Sequence, residues 1–234
     1  MRVEYVSNEF VKYYERYKDA TMVPWQGAYD AYQAAIYIAK NDINGDVVEC
    51  GVFRGGISAI MRDVVNDHSS GHYTHWLFDT FEGMSVPSEF DFKHHMPSYE
   101  QTKLKFDATK HPVSGSNWCR GELDDVRATM ERFPSNKCEI KYIKGMVEKT
   151  LLDGPLPEKI SILRLDTDFY ESTKIEFNVL FPRLVFGGIL IVDDYGSWAG
   201  SRKATDEYLN KLSGIKLATF FNHANGSMIA IKNS

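Results

Sequence analysis

Leu163-Arg164-Leu165-Asp166-Thr167-Asp168-Phe169-Tyr170-Glu171-Ser172-Thr173 is the stretch whose reading decides the fold, with Ile189-Leu190-Ile191-Val192-Asp193-Asp194-Tyr195-Gly196 as its counterpart. In each, an apolar run reads as a buried parallel strand and ends in aspartates. Ser172 and Thr173 stand where a helix would be capped, and the loop from Tyr195 to Ser201 leads into another helix. Open α/β sheets bind ligands outside the carboxyl ends of their strands. With the two strands as neighbours, Asp166, Asp168, Asp193 and Asp194 converge on one patch. Four carboxylates that close repel one another unless something positive sits among them. A hard divalent cation with oxygen ligands, magnesium above all, answers that need.

The length of 234 residues suits one α/β domain with a substantial core. We read it as a single domain over 1–234, with a helical N-terminal arm over about 1–20 and a lid insertion over about 84–120. A formal charge of -5 makes no electrostatic case for nucleic acid or an anionic membrane as partner. The chain has no apolar run long enough to span a bilayer and no signal-peptide pattern at its start, so the cytoplasm is the expected compartment. Cys50, Cys119 and Cys138 match no zinc spacing, and Cys50 is expected as a buried thiol within its strand.

Outward from the aspartates, Asp46 to Gly51 reads as the first strand. Val52-Phe53-Arg54-Gly55-Gly56-Ile57-Ser58 follows as a glycine-rich turn into a helix, where a ligand can approach the backbone closely. The pattern is not GxGxxG, so the dinucleotide fingerprint is not met. Glu49, a carboxylate at the end of a buried strand, needs a partner. It either receives a ligand's amino group or holds the turn through backbone N–H groups. Asp79 ends the second strand, Tyr73 to Asp79, where an acidic residue can accept hydrogen bonds from ribose hydroxyls; a loop or cap carboxylate is the bland alternative. Glu139 to Gly145 reads as the third strand, and Met146-Val147-Glu148 follows, where backbone and apolar groups could bracket an adenine ring; an ordinary strand-to-helix loop is the equal alternative. Gln26 to Lys40, Leu123 to Phe133, Ser172 to Leu184 and Arg202 to Leu212 read as helices. Lys216 to Phe221 and Ser227 to Ile231 read as the last strands, joined at Asn225-Gly226 by a tight hairpin. His94 and His95, in the lid, are read as exposed loop residues before acid/base or metal-binding groups.

Four blocks carry a family resemblance: Val48-Glu49-Cys50-Gly51-Val52-Phe53-Arg54-Gly55-Gly56, Phe78-Asp79-Thr80-Phe81-Glu82-Gly83-Met84, residues 165–173, and Val192-Asp193-Asp194-Tyr195-Gly196. In this order they resemble the macrocin O-methyltransferase family, which methylates sugar hydroxyls of macrolides and related glycosylated natural products. The resemblance runs from about Thr21 to Ser201. It implies a class I methyltransferase fold: a Rossmann-like, mostly parallel seven-stranded sheet with helices on both faces and a C-terminal antiparallel hairpin. It implies S-adenosylmethionine and magnesium as cofactors, a small-molecule or saccharide acceptor, and a homo-oligomer. By the same resemblance Asp166, Asp193 and Asp194 match metal ligands and Asp168 the general base. Thr21, Glu49, Gly51 and Asp79 match cofactor contacts. Val52, Gly55, Gly56, Ser58, Gly145 and Met146 complete the expected cofactor site.

The chemistry expected from this reading is proton removal from a metal-bound sugar hydroxyl by Asp168, followed by in-line methyl transfer. Residues two apart in an extended segment face one side, which would aim Asp166 and Asp168 together. A catechol-type acceptor, a nucleotide-dependent oxidoreductase on the same sheet and a noncatalytic binding module are the competing expectations.

Overall fold

Val47 and Val48 are adjacent on one strand, and both are fully buried, in two different cores. Side chains alternate across a strand, so a strand apolar at every position must be covered on both faces. The computed structural model describes residues 6–134 and 136–233. In it β1 (Asp46–Cys50), β2 (Tyr73–Asp79), β3 (Cys138–Lys144), β4 (Ile160–Leu165) and β5 (Leu184–Val192) run parallel. β6 (Lys216–Phe221) and β7 (Met228–Asn233) complete the sheet antiparallel, in the order β3-β2-β1-β4-β5-β7-β6. Helices α1 (Asn8–Tyr17), α2 (Trp25–Lys40), α3 (Gly56–His68) and α5 (Leu123–Glu131) supply the core on the Val47 side. Helices α6 (Val147–Asp153), α7 (Tyr170–Val179) and α8 (Ala199–Leu209) supply that on the Val48 side. This is the Rossmann-like seven-stranded sheet expected from the sequence. The chain leaves β1 toward β2 and returns on its other side as β4, so the crevice of the fold opens between the carboxyl ends of β1 and β4.

Several local expectations are corrected. The helix after β4 starts at Tyr170 with Phe169 as its N-cap. Ser172 and Thr173 do not cap it. Ser172 Oγ donates to Glu148 Oε1 at 2.6 Å, and Thr173 Oγ1 donates to Phe169 O at 2.9 Å. The helix stops at Val179, and Pro182 sits in a short 3-10 turn, Phe181–Arg183, because proline lacks the N–H a helix interior needs. The last helix begins at Ala199, three residues before the expected start. Residues 222–227 join β6 to β7, so Asn225-Gly226 is part of a longer loop, closed by Gly226 N donating to Asn222 O at 2.8 Å.

The N-terminal arm is helical but does not stand apart. Phe10, Tyr13 and Tyr17 are buried against the sheet-covering helices, and the Tyr13 and Tyr17 hydroxyls donate to Asp67 and Asp63 on α3. Residues 1–5 of the expected arm lie outside the described residues. The lid contains a helix, α4 (Tyr99–Ala108), that the sequence reading did not resolve. Among the described residues no helix is long and apolar enough to cross a membrane.

Candidate active site

The register of β1 against β4 puts Glu49 beside Arg164. Both side chains are about 1% exposed. Arg164 Nη1 donates to Glu49 Oε1 and, at 2.7 Å, to Asp166 Oδ2, while Nη2 reaches Asp193 Oδ1 at 2.7 Å. Burial works against the guanidinium charge, but Asp166, Asp193 and Glu49 more than offset it, so Arg164 stays protonated. Glu49 also accepts from Ser58 Oγ on α3. The partners of Glu49 are therefore two side chains, where the sequence reading offered backbone N–H groups of the turn or a ligand. Part of the positive charge that the aspartates require is this arginine.

Three of the four aspartates present oxygens that lie within 4.8 Å of one another: Asp166, Asp168 and Asp194. Asp193 lies beside them, with one oxygen held by Arg164. Strand β4 ends at Leu165, so Asp168 is not on an extended segment as expected. Its backbone turns into the left-handed region, φ 66°, which aspartate tolerates better than most residues. The turn lets Asp168 N donate to Asp194 Oδ2 at 3.1 Å and brings its carboxyl into the cluster by a different route. Burial pushes Asp168 up to about 7, with a hydrogen bond to Asp194 opposing and the field of Asp166 adding. Burial and mutual repulsion raise Asp166 and Asp194 as well. The cluster carries more negative charge than Arg164 offsets, and its donors are all carboxylate oxygens. It fits a hard divalent cation.

A cavity of about 360 Å³ opens over this cluster in the crevice. Its wall includes Thr21, Glu49, Gly51, Val52, Asp79, Gly145 and Met146 together with Asp166, Asp168, Asp193 and Asp194. Gly51 has φ 81°, and a Cβ there would fall 1.9 Å from Asp166 O, so the turn passes directly against the loop that carries Asp166. Asp79 is occupied by backbone: Oδ2 accepts from Val52 N at 2.6 Å and Phe53 N at 3.2 Å, and Oδ1 accepts from Phe81 N at 2.7 Å. Burial pushes its carboxyl up and those N–H groups oppose the rise. Thr80 Oγ1 also lies 3.3 Å from Oδ1, so the roughly four acceptor sites of this carboxylate are all engaged, and a ligand hydroxyl would replace the long Thr80 contact.

Gly55, Gly56 and Ser58 are not on the cavity wall. A Cβ at Gly55 would approach Val126 on α5, and one at Gly56 would meet Ala20, so these glycines allow close packing behind the turn. Ser58 acts through Glu49. His94 and His95 are exposed and also lie off the wall.

The 84–120 segment packs beside the cavity through a small aromatic core in which its Phe106 and Trp118 meet Phe169 and Trp198. Phe169 follows the β4 aspartates and Trp198 follows the β5 aspartates, so the segment is seated on both loops. Buried Asp91 reinforces this, accepting from Tyr170 N at 2.7 Å and from Ser88. Arg164, Trp118, Trp198 and Lys93 were not singled out from the sequence. Arg164 had a signal, a lone charge in an apolar strand; Trp118 had only the aromatic content of its segment, and the placement of Trp198 and Lys93 had none, because their contacts are long-range.

The family Macrocin-O-methyltransferase (TylF) matches residues 19–218. A relative from Streptomyces olivaceus, 8-demethyl-8-(2,3-dimethoxy-alpha-L-rhamnosyl)-tetracenomycin-C 4'-O-methyltransferase, is 33% identical over 171 residues, covering 73% of this chain and 60% of its own. Demethyldecarbamoylnovobiocin O-methyltransferase from Streptomyces niveus is 28% identical over 174 residues, covering 74% of this chain and 62% of its own. The chain spans about three fifths of the length of the curated relatives it matches. Among solved structures, the O-methyltransferase NovP superposes with a TM-score of 0.75 at 24% identity, over 92% of this chain and 83% of that one.

Proposed function

The chain belongs to the macrocin-O-methyltransferase family, and from that premise we propose that it transfers the methyl group of S-adenosylmethionine to a saccharide hydroxyl, with magnesium at the aspartate cluster. The observation that carries the reading is the meeting, in one cavity, of the Gly51 turn, Asp79 and the clustered aspartates. Seven carboxylates line that cavity against two cationic side chains, Lys93 and Arg164, which favours a cationic ligand such as a sulfonium with an α-amino group. The family's expected oxidoreductase rival loses its support with the family assignment.

Asp79 is the group for the ribose, and Gly145, Met146 and Val147 form the wall for the adenine. Thr21 and the floor around Glu49 face the methionine end. Asp166, Asp193 and Asp194 are the metal ligands in this reading. Arg164 takes one oxygen each of Asp166 and Asp193, and leaves the other free. A bound magnesium ion supplies Lewis acidity that lowers the pKa of an acceptor hydroxyl. Asp168 accepts the hydroxyl proton. The packed lid excludes water and orients the acceptor, and positioning supplies much of the rate.

The test is incubation with methyl-labelled S-adenosylmethionine and a panel of glycosides and sugar nucleotides, with and without EDTA. The reading expects label on a sugar hydroxyl, lost with EDTA and restored by magnesium. Transfer that survives EDTA would remove the metal from the mechanism. Label that appears on catechols and on no sugar would replace the acceptor class.

A further inference from the structure

Of the two cationic side chains on the cavity wall, Arg164 is committed to Glu49, Asp166 and Asp193. Lys93 forms no close ion pair among the described residues; its charge reaches Asp168 only as a field, which works against the rise of that carboxyl. Its Nζ rests 4.3 Å from the centre of the Trp198 ring. Lys105 repeats the arrangement on the neighbouring ring, with Nζ 4.2 Å from the centre of Trp118 and no ion pair among the described residues. The two rings pack 6.0 Å apart, but Lys105 is exposed and lies off the cavity wall, so Lys93 is the ammonium on that wall.

Lys93 is also held in place. Phe92 O accepts from Ala199 N at 2.9 Å, and Lys93 and Met96 exchange two backbone hydrogen bonds. Buried Asp91 ties the same stretch to Tyr170 N. The side chain is therefore positioned against the loops that follow β4 and β5, where the acceptor must bind. A cation–π contact orients an ammonium but satisfies none of its three N–H donors. The site is zoned: carboxylates on the strand ends and, facing them from the 84–120 segment, the Lys93 ammonium, which has no ion pair among the described residues.

We infer that the acceptor saccharide carries an anionic substituent, a phosphate, diphosphate or carboxylate, which Lys93 binds. The inference rests on the methyl-transfer reading and names the substrate class of that same site. Lys93 supplies a charge-assisted hydrogen bond, and Trp198 beneath it gives the bond its direction.

The test is calorimetric titration of the whole chain, loaded with S-adenosylhomocysteine and magnesium, with three probes. UDP-glucose presents a diphosphate, glucuronate a carboxylate, and methyl glucoside neither. At least one anionic probe is expected to bind about tenfold or more tightly than methyl glucoside. Lys93→Met should erase that advantage and Lys93→Arg should keep it, with affinity for S-adenosylhomocysteine unchanged in both. The methionine variant also separates Lys93 from any binding of the diphosphate to the metal. Whichever anionic probe shows the advantage identifies its chemistry. Equal binding of the three probes, no binding of either anionic probe, or an advantage that survives Lys93→Met overturns the inference. Failure of S-adenosylhomocysteine itself to bind would instead bring down the methyl-transfer reading on which the inference stands.

Discussion

Arg164 Nη2 donates to Asp193 Oδ1 at 2.7 Å, across the β4–β5 pairing and beneath the aspartate cluster. Because the same guanidinium holds Asp166 and Glu49, its loss would strand three carboxylates at once. Arg164→Met is expected to cost about 3–5 kcal/mol of stability, the penalty for leaving buried charge uncompensated. Urea denaturation measures it. Adding Glu49→Gln should recover part of the loss, since that removes one stranded charge. A single-variant cost under about 1 kcal/mol would mean that the network contributes little net stability.

Asp168→Asn keeps the shape of the side chain and removes the base. Turnover is expected to fall by about 10²–10⁴, with binding of S-adenosylhomocysteine within about twofold of wild type. Single-turnover methyl transfer and calorimetry read the two quantities separately. Near-normal turnover would take the base role away from Asp168.

Gly51→Ala places a Cβ 1.9 Å from Asp166 O at a φ of 81°. Strain and overlap together are expected to destabilise the chain by about 2–5 kcal/mol. The urea midpoint checks this, and a variant as stable as wild type would show that the turn relaxes away from the Asp166 loop.

His75 on β2 is fully buried, and among the described residues neither ring nitrogen has a hydrogen-bond partner. Burial pushes its pKa from 6.5 down to about 3, with the charge of Arg62 adding to the shift. Above pH 6.5 both folded and unfolded chains hold it neutral. Below 6.5 the unfolded chain takes up a proton that the folded chain refuses, so stability falls with pH until about 3. The slope from this one group is about 1.4 kcal/mol per pH unit. His75→Leu should flatten the acid limb of a stability–pH profile by that amount. An unchanged limb would mean that His75 finds a partner when protonated.

The elements that were legible in the sequence are those whose signal is local. β2 and β6 have the bounds read for them, because turn residues flank a clear apolar run. The aspartates were found because they end such runs. The start of α7 was misplaced because a hydrophobic residue, Phe169, stands at the N-cap, and its polar neighbours bond elsewhere. Glu49 was known to need a partner, but naming Arg164 required the β1–β4 register, which joins residues 115 apart in the chain. The 84–120 segment was legible as a departure from alternation. Its seat on Trp198 and Phe169, and the placement of Lys93, depend on tertiary packing alone.

The most direct measurement is calorimetric titration of the purified chain with S-adenosylhomocysteine, with and without magnesium. The account predicts micromolar binding in a one-to-one complex, weakened by Asp79→Ala. Absence of binding under both conditions would contradict it, because the cavity over the aspartates would then not be a cofactor site.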